Sequence, residues 1–372
     1  VADIPAKTIA TESPVYTRPA TPPPYIEAVR AFRLDGIPDT TDPVADLKKL
    51  LAWPTIASKN WVYRQYDHMV RDNTVLCPGS DAAVIRVKAD SIPPLPRQEA
   101  GTAQAGPAPF PEKYIALTSD CNGSYVYLDP YEGGKAAVVE AARNLVCAGA
   151  RPLGITDCLN FGNPHQPESF WQLSESVRGI ADACRVLHTP VTGGNCSLYN
   201  QSPAGPIDPT PTVAMVGLVD RAEHITAQWF RDEGDAVILL GEMVDREDVL
   251  QGLGGSAYLR VVHGLKNGSP PRCALEPARV LQDAMRSLIH SGAIKSAHDC
   301  SEGGLAVALA ECCISRREAR GTPRWIGADI DLSEVAGTTA KADGPAVRLD
   351  ALLFGESHHR IVITTAELDA TK

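Results

Sequence analysis

An acid and an amide interrupt an otherwise apolar helical stretch near the middle of the chain. Glu140 and Asn144 stand four residues apart in a run rich in Ala, Val and Leu. Residues at this spacing share one face of a helix. Carboxylate and amide oxygens are ligands that Mg²⁺ accepts together with water and phosphate oxygens. The pattern therefore indicates part of a metal site, and a solvent-exposed polar face is the alternative that the spacing leaves open.

A second polar stretch precedes a Gly-Gly pair. Asp299 and Ser301 stand just before Gly303 and Gly304, and an apolar run typical of a helix follows. Free N–H groups at a helix N-terminus attract anions such as phosphate, and glycine allows a ligand to approach the backbone. An ordinary N-cap explains the same residues equally well, because Asp and Ser are common capping residues.

Three more polar segments could face a ligand, although each also fits a simple turn. Residues 192–197 contain Gly193-Gly194 after a strand, where a hairpin turn is the plainer interpretation. In residues 155–164 an acid at a strand end leads into a loop with Asn, Gly and Pro. In residues 79–84 an Asp beside Gly enters a strand, which suits a metal or phosphate contact.

The elements that would position these residues alternate between strands and helices. Residues 168–187 form the clearest helix, since apolar residues recur every three or four positions. Further helices are predicted at residues 25–32, 46–51, 135–148, 276–290 and 305–316. Strands are predicted at residues 84–87, 114–118, 125–128, 152–157, 189–192, 213–219, 236–240 and 360–364. Another helix is predicted to begin in residues 364–372, and the Pro-rich residues 1–45 and 89–112 favour a linker and a surface loop.

Composition limits the class of protein. The 372 residues carry a net charge of −10, and 44% are hydrophobic and 22% charged, as in a soluble protein of about two domains. Without a basic face we expect no nucleic acid partner, and no apolar run is long enough for a membrane span. The ten cysteines show no CxxC pair or zinc spacing, so we expect reduced thiols in a cytoplasmic protein.

The histidines indicate neither a catalytic triad nor a metal site. The sequence contains no Walker A motif and no G-x-S-x-G elbow. His358 and His359 follow Gly355-Glu356-Ser357, and adjacent residues in a strand point to opposite faces. We therefore expect no metal ion to be shared by these two imidazoles.

Taken together, these segments resemble one enzyme family. The shared stretches are residues 65–70, 120–122, 127–130, 133–135, 140–144, 156–164, 193–200, 299–305 and 354–357. They resemble phosphoribosylformylglycinamidine synthase over nearly the whole chain, and residues 89–112 resemble an insertion. Other enzymes of the superfamily, such as the selenophosphate and thiamine-phosphate enzymes, lack the stretch at residues 157–164 in this form.

The resemblance implies an α+β protein. An AIR synthase-like N-terminal half-barrel domain would precede an AIR synthase-like C-terminal α+β domain. The family's synthetase chain has two similar halves, and this sequence resembles only the second. We expect a linker and the tail of a preceding domain in residues 1–75, the N-terminal-type domain in residues 76–232, and a truncated C-terminal-type domain in residues 233–372.

The family's reaction is an ATP-dependent amidation in purine biosynthesis. ATP activates the formamide oxygen of formylglycinamide ribonucleotide, and ammonia from glutamine then displaces phosphate to give the amidine. The implied ligands are Mg²⁺, ATP and this ribonucleotide, and the implied partners are a glutaminase subunit and a small accessory subunit. We expect this half alone to be an inactive part of that C–N ligase. The alternative is a non-catalytic scaffold half that holds a structural Mg-nucleotide and docks partner subunits.

One set of residues matches positions of the family's active site. Asp157 and Gly194 match ATP contacts, Asn195 matches a Mg²⁺ ligand, and Ser197 matches a substrate contact. The resemblance implies that they complete a site whose main residues lie in the other half. The family's catalytic His belongs to that other half, so no catalytic residue is assigned in this chain.

A second set matches an auxiliary nucleotide site for ATP or ADP. Ser301 matches a nucleotide contact and Lys59 a phosphate partner. The residues that match its Mg²⁺ ligands are Asp81, Glu140, Asn144 and Asp299. Glu356-Ser357 resembles the second copy of a substrate-binding stretch, and no role is assigned to it.

Overall fold

The α+β architecture is confirmed in a computed structural model. The structure describes residues 3–12, 14–66, 68–88, 112–245, 247–314, 325–333 and 347–370. The loop predicted at residues 89–112 therefore lies outside the described residues, apart from residue 112. In the described parts of the chain, no helix is long and apolar enough to cross a lipid bilayer.

Helices and strands alternate along the chain. Within the described residues the helices are α1 (Ala6–Thr11), α2 (Tyr25–Ala31), α3 (Pro43–Ala52), α4 (Asn60–Tyr63), α5 (Gly123–Leu128), α6 (Pro130–Cys147), α7 (Pro167–Leu187), α8 (Ala257–His263), α9 (Leu275–His290), α10 (Gly304–Ile314) and α11 (Leu349–Phe354). The strands are β1 (Thr74–Leu76), β2 (Ala83–Val87), β3 (Lys113–Asp120), β4 (Arg151–Asn160), β5 (Val191–Ser197), β6 (Gln201–Ser202), β7 (Gly205–Pro206), β8 (Thr210–Val219), β9 (Ala236–Leu240), β10 (Ile294–Asp299) and β11 (Ile361–Thr365).

Six strands form the larger sheet, in the order β1-β2-β3-β8-β4-β5. Neighbouring strands are antiparallel except for β4 and β5, which are parallel and joined by α7. Strand β8 alternates buried and more exposed residues, so one sheet face packs on a core and the other does not. The core includes Val84, Met215, Leu145 and Ile180. The sheet therefore rests on α6 and α7.

Helix α6 begins at a strong cap and is buried along almost its whole length. The Asp129 carboxylate accepts hydrogen bonds from the N–H groups of Tyr131 and Glu132, and Pro130 occupies the first turn. Buried residues lie on all sides of α6 because it packs on the sheet, on α7 and on α9. The polar side chains of α6 therefore meet protein rather than water.

The second sheet has three antiparallel strands in the order β10-β11-β9. Its core joins Met285 and Ile289 of α9 with Ile361 and Ile363 of β11. Val146 and Cys147 of α6 belong to the same cluster, so α6 contacts the cores of both sheets.

The Pro-rich N-terminal stretch contains packed helices as well as connecting chain. The predicted helices are confirmed as α2 and α3. Leu50 of α3 is fully buried in a cluster with Leu253, Tyr258 and Phe354, which follow β9 in the chain. This part of the predicted linker therefore belongs to the folded structure.

Three sequence predictions were wrong. Residues 125–128 form the helix α5 rather than a strand, because the Asn122 side chain caps the N–H groups of Ser124 and Tyr125. Gly193-Gly194 continues strand β5 rather than turning, since it pairs with β4. After Thr365, the described residues to 370 form turns rather than a helix.

Gly179 provides a test of how closely α6 and α7 pack. A Cβ at this position would overlap the backbone oxygen of Tyr131. We expect Gly179→Ala to lower the free energy of unfolding by about 1–3 kcal/mol because of this overlap. In an exposed helix, replacing Gly by Ala would instead raise the free energy of unfolding by about 0.5–1 kcal/mol. Urea denaturation measures the change. Gly36→Ala is the matched control, because no atom lies within 4 Å of an added Cβ there; equal midpoints for the two variants would contradict the close packing.

Candidate functional site

A buried ion pair lies at the centre of the candidate site. It joins α6, which packs on the six-stranded sheet, to β10 of the three-stranded sheet. Arg143 of α6 and Asp299 at the end of β10 are 1% and 5% exposed. The Arg143 Nη2 donates to Asp299 Oδ2 at 3.1 Å and to Ser301 Oγ at 3.1 Å, and Nε pairs with Asp299 Oδ1. Ser301 also donates to Asp299 Oδ2. The predicted residues Asp299 and Ser301 are therefore brought together, through an arginine that the sequence interpretation did not include.

Helix α6 directs its other polar residues at a second acid. Asn144 Nδ2 donates to Asp120 Oδ1 at 2.8 Å, and Thr118 donates to Asp120 Oδ2 at 2.9 Å. Asp120 is the last residue of β3. Both α6 residues therefore lie among polar groups inside the protein, and the metal site predicted from their i,i+4 spacing stays a prediction.

Four carboxyl groups form what we call the carboxylate cluster: Asp120, Glu140, Asp299 and Glu302. Burial, Glu302 and Asp299 raise the pKa of Glu140 well above its ordinary value, against the opposing charge of Arg143. Burial and Glu140 raise the pKa of Asp120, and burial and Glu356 raise the pKa of Glu302 to about 8. Each acid therefore disfavours ionisation of the next, and a bound cation would relieve this repulsion.

Glu356, which follows α11, lies beside the carboxylate cluster. Its Oε1 accepts the N–H groups of Gly303 at 2.7 Å and Ala257 at 2.8 Å, and its Oε2 accepts the Tyr125 hydroxyl. Burial raises the pKa of Glu356 to about 6, against these hydrogen bonds. With both oxygens engaged, Glu356 anchors the turn after β10.

Asp81 lies in a separate chain of hydrogen bonds. Its Oδ1 accepts the backbone N–H of Asp299 at 2.7 Å, and both oxygens lie 3.1 Å from His298 Nδ1. His298 Nε2 lies 3.0 Å from Glu311. Burial lowers the pKa of His298, but Asp81 and Glu311 outweigh it and raise that pKa well above its ordinary value. These contacts hold Asp81 beside Asp299.

The donor chemistry fits Mg²⁺, because the cluster offers carboxylate oxygens and the amide of Asn144 adjoins it. The ligands are not gathered around one point, however. Among the described residues, no three His, Cys, Asp or Glu side chains stand where they could hold one metal ion. Arg143 and Ser301 occupy the oxygens of Asp299, and His298 those of Asp81.

Lys59 is exposed and engaged elsewhere. Its Nζ donates to the backbone oxygens of Thr55, at 3.0 Å, and Ala57. No hydrogen bond or ion pair in the described parts of the chain links it to the carboxylate cluster. Its predicted role as a phosphate partner would require the side chain to leave these carbonyl groups.

The residues predicted for the shared active site lie along one edge of the large sheet. Asp157 pairs with Gly194 in register, Cys158 with Asn195, and Asn160 with Ser197. A Cβ at Gly194 would overlap the Asp157 carboxylate, so only glycine allows these two positions to lie so close. Gly194 and Asn195 are exposed on β5, the edge strand. This set is gathered on an open surface.

Sequence reasoning missed three members of the site: Asp120, Arg143 and Glu302. Arg143 follows Glu140 by three residues and shares its helix face, a signal that could have identified it. Asp120 ends β3 and Glu302 follows β10, and about half the length of the chain separates them. Their proximity becomes visible only when β3 and β10 are placed against α6.

The first prediction concerns the ion pair at the domain junction. We expect Arg143→Met to lower the free energy of unfolding by about 3–5 kcal/mol, because it leaves a buried carboxylate without its partner. Urea denaturation at neutral pH measures the loss. Arg279→Met is the control, since Arg279 makes its ion pairs with Glu276 and Asp283 on the surface of α9 and we expect little change. Equal losses in both variants would contradict the central role of Arg143.

The second prediction concerns pH and Mg²⁺. Glu302 has an ordinary pKa of 4.5 and a pKa of about 8 in the folded protein. Between these values the folded state holds a proton that the unfolded chain releases, so Glu302 causes stability to fall as pH rises. Mg²⁺ binds ionised carboxylates. We therefore expect Mg²⁺ to raise the melting temperature by about 3 °C more at the upper end of this pH range than at its lower end.

Two variants check that the effect arises in the cluster. Thermal unfolding of Glu302→Gln, measured from about pH 5 to about pH 8, should show a flatter pH dependence and a smaller Mg²⁺ response. Glu27→Gln changes an exposed carboxylate on α2 and should behave like the wild type. A Mg²⁺ response that is the same at both ends of the pH range would count against a cation site here.

Comparison with known proteins agrees with this fold. Residues 79–219 match the sequence model for the AIR synthase related protein N-terminal domain, and residues 232–370 match that for the C-terminal domain. Together the two matches cover about three quarters of the chain. A solved structure, T. maritima PurL complexed with FGAR, shares the fold with a TM-score of 0.51 at 19% identity, over 70% of this chain and 39% of that one.

Curated relatives cover nearly the whole chain at higher identity. Phosphoribosylformylglycinamidine synthase subunit PurL from Moorella thermoacetica is 46% identical over 366 residues, which is 98% of this chain and 44% of the relative. The subunit from Thermosynechococcus vestitus is 47% identical over 374 residues, again 98% of this chain and 44% of the relative. The chain thus spans about half the length of the curated relatives that it matches. The chain belongs to the AIR synthase related family, whose N-terminal and C-terminal domains it carries in succession.

Proposed function

We propose that the chain is the second half of the synthetase subunit of phosphoribosylformylglycinamidine synthase. The complete enzyme would convert formylglycinamide ribonucleotide, ATP and glutamine into the amidine, as a cytoplasmic C–N ligase of purine biosynthesis. Identity of 46–47% over 98% of the chain supports this assignment. Since the relatives are about twice as long, the reaction would need the other half. The domains would occupy residues 76–232 and 233–372, after a linker in residues 1–75.

The observation that carries the proposal is the carboxylate cluster around α6. We propose that it is an auxiliary nucleotide site in which Glu140, Asn144, Asp81 and Asp299 hold Mg²⁺. Ser301 would contact the nucleotide, ATP or ADP, and Lys59 its phosphates. The ion would supply positive charge against the phosphates when bound. The pKa values of Glu140 and Asp120, which burial and neighbouring carboxyl groups raise, support this role, because a bound cation would stabilise the ionised form of both acids.

The edge of β5 would complete a second site together with the missing half. Asp157 and Gly194 would contact ATP, Asn195 would hold Mg²⁺, and Ser197 would contact the ribonucleotide. The exposure of Gly194 and Asn195 on the edge strand β5, next to Asp157 on β4, supports such a shared site. The uncovered face of the same sheet, with Leu153 and Val216 each more than a third exposed, offers an apolar surface for the other half.

A scaffold role is the second candidate. Arg143 already neutralises Asp299, and His298 already holds Asp81. In this alternative, the carboxylates of Asp299 and Asp81 already have partners within the protein, and a nucleotide bound beside them would be permanent and structural. In that case the half would hold the glutaminase and small accessory subunits in place, and turnover would not depend on the cluster.

Calorimetric titration of this chain with ADP, with and without Mg²⁺, tests the auxiliary site. We expect micromolar binding that requires Mg²⁺, which corresponds to about −8 kcal/mol. Glu140→Gln should weaken it at least about tenfold, because a carboxylate ligand is lost, while Glu27→Gln should not. A folded protein that binds no ADP would remove the support for this site.

A turnover assay separates the two roles. The chain alone, given the ribonucleotide, ATP and ammonia, should make no amidine. After addition of the first half of a relative's subunit, Glu140→Gln and wild type are compared for turnover per folded molecule. Loss of turnover at unchanged stability would favour a chemical role, and normal turnover with a lower melting temperature would favour the scaffold. Amidine synthesis by the isolated chain would refute the need for the other half.

A further inference from the structure

Cys158, to which neither proposed site assigns a role, lies on the uncovered face of the six-stranded sheet. It pairs in register with Asn195 of β5 on one side and with Thr212 of β8 on the other. The next residues of β8 on the opposite face, Val213 and Met215, are fully buried in the core. Because side chains alternate between the two faces of a sheet, Cys158 and Asn195 lie on the face that has no core.

The amide of Asn160, two residues further along β4, has a defined orientation. Its Nδ2 donates to the backbone oxygens of Cys158 at 2.9 Å and of Thr210 at 3.0 Å. A backbone oxygen only accepts hydrogen bonds, so the end of the amide that meets both oxygens must be the nitrogen. Both N–H groups of Asn160 are then in use, and its Oδ1 remains as an acceptor.

The Cys158 thiol lies between this amide and the amide of Asn195. Its Sγ is 3.7 Å from Asn160 Oδ1 and 3.8 Å from Asn195 Nδ2. Asn160 Nδ2 is also 3.6 Å from the sulfur, but its two hydrogen atoms go to the closer backbone oxygens. Within the described chain, Asn160 Oδ1 is therefore the acceptor for the S–H group. The sulfur can then still accept a hydrogen bond, but it has none left to donate.

This order of donors determines which end of the Asn195 amide meets the thiol. A sulfur atom that has donated its only proton accepts an N–H group and offers nothing to a carbonyl oxygen. Asn195 therefore bonds Cys158 through Nδ2, as the structure shows. Asn195 is exposed, and no described residue donates a hydrogen bond to its Oδ1. The amide oxygen is thus the end of the side chain that is left for another ligand.

This orientation suits the cation that the proposed function assigns to Asn195. Mg²⁺ takes oxygen ligands, an amide oxygen among them, and a thiol is a poor ligand for it. The N–H groups of an amide would instead repel a cation. Asn195 can therefore serve as a Mg²⁺ ligand only when its nitrogen is engaged elsewhere, and Cys158 engages it.

We infer that Cys158 is a positioning residue, which together with Asn160 orients the amide of Asn195 for Mg²⁺. The backbone of β4 and β8 fixes Asn160, Asn160 fixes the thiol proton, and the thiol fixes the nitrogen of Asn195. The role toward Mg²⁺ rests on the proposed function, and the inference deepens it by naming the residues that set the ligand's orientation. The hydrogen-bonded chain itself belongs to this half and can be tested without the other.

NMR of the Asn195 side-chain amide in this chain is the direct test, and it requires neither Mg²⁺ nor turnover. The Nδ2 signals are identified by their loss in Asn195→Asp. We expect Cys158→Ala to speed the exchange of one Nδ2 proton with water at least about threefold, because the hydrogen bond to sulfur is lost. Cys158→Ser should exchange more slowly than Cys158→Ala, since a hydroxyl group also donates and accepts.

Cys196→Ala is the matched control for this measurement. Cys196 follows Asn195 directly and is exposed, and its thiol makes no hydrogen bond with a described residue. This variant should keep the exchange rates of the wild type. Thermal unfolding confirms that each variant folds. Unchanged exchange in folded Cys158→Ala, or an equal acceleration in Cys196→Ala, would overturn the inference.

A second measurement connects the orientation to the cation. With the first half of a relative's subunit added and MgATP saturating, we expect Cys158→Ala to raise the free Mg²⁺ concentration for half-maximal turnover at least about threefold. The KM for the ribonucleotide should not change, and Cys158→Ser should lie closer to the wild type. A wild-type Mg²⁺ requirement in Cys158→Ala would refute the role toward the cation. A wild-type complex without turnover would contradict the proposed function instead, and the exchange rates would still decide whether Cys158 orients Asn195.

Discussion

The buried pair between Arg143 and Asp299 is the interaction on which the geometry of the two units depends. Two buried ions are costly unless each finds hydrogen bonds as well as charge, and here the bidentate contact and Ser301 provide both. Since Arg143 belongs to α6 and Asp299 ends β10, this requirement fixes the second sheet relative to the first. The turn after Asp299 is then positioned as well, and its Gly303 N–H reaches Glu356.

Arg143 also explains how several acids can share a small space. One guanidinium lies close enough to lower the pKa of Glu140 while it pairs with Asp299, yet Glu140, Asp120 and Glu302 still have raised pKa values. The protein's own cation therefore stabilises one carboxylate and leaves the others short of positive charge. In the proposed function, such partial compensation would hold the cluster together without a ligand and still allow it to bind a cation. A cluster whose charge was fully neutralised by the protein would not attract a cation.

Much of this fold could be predicted from the sequence because it depends on local patterns. Helix α7 was confirmed almost to the residue, since its apolar spacing is regular. The error at residues 125–128 arose because alternating Tyr, Val, Tyr and Leu resemble a strand, whereas the Asn122 cap determines the outcome. The site was less predictable. Glu140 and Asn144 are visible as a pair on one helix, but Asp120 and Glu302 approach them only through tertiary contacts, and no spacing in the chain reveals that His298 holds Asp81.

The segment 355–360 places two different polar environments back to back. Glu356 faces the carboxylate cluster through Tyr125 and Gly303, while the imidazoles of His358 and His359, with buried ring nitrogens, follow it in the same segment. Arg360 fixes this segment through its carbonyl groups, and its charge acts on Glu356 and on His358 together. The same buried cation thus favours the ionised form of Glu356 and, together with burial and Arg143, disfavours the charged form of His358.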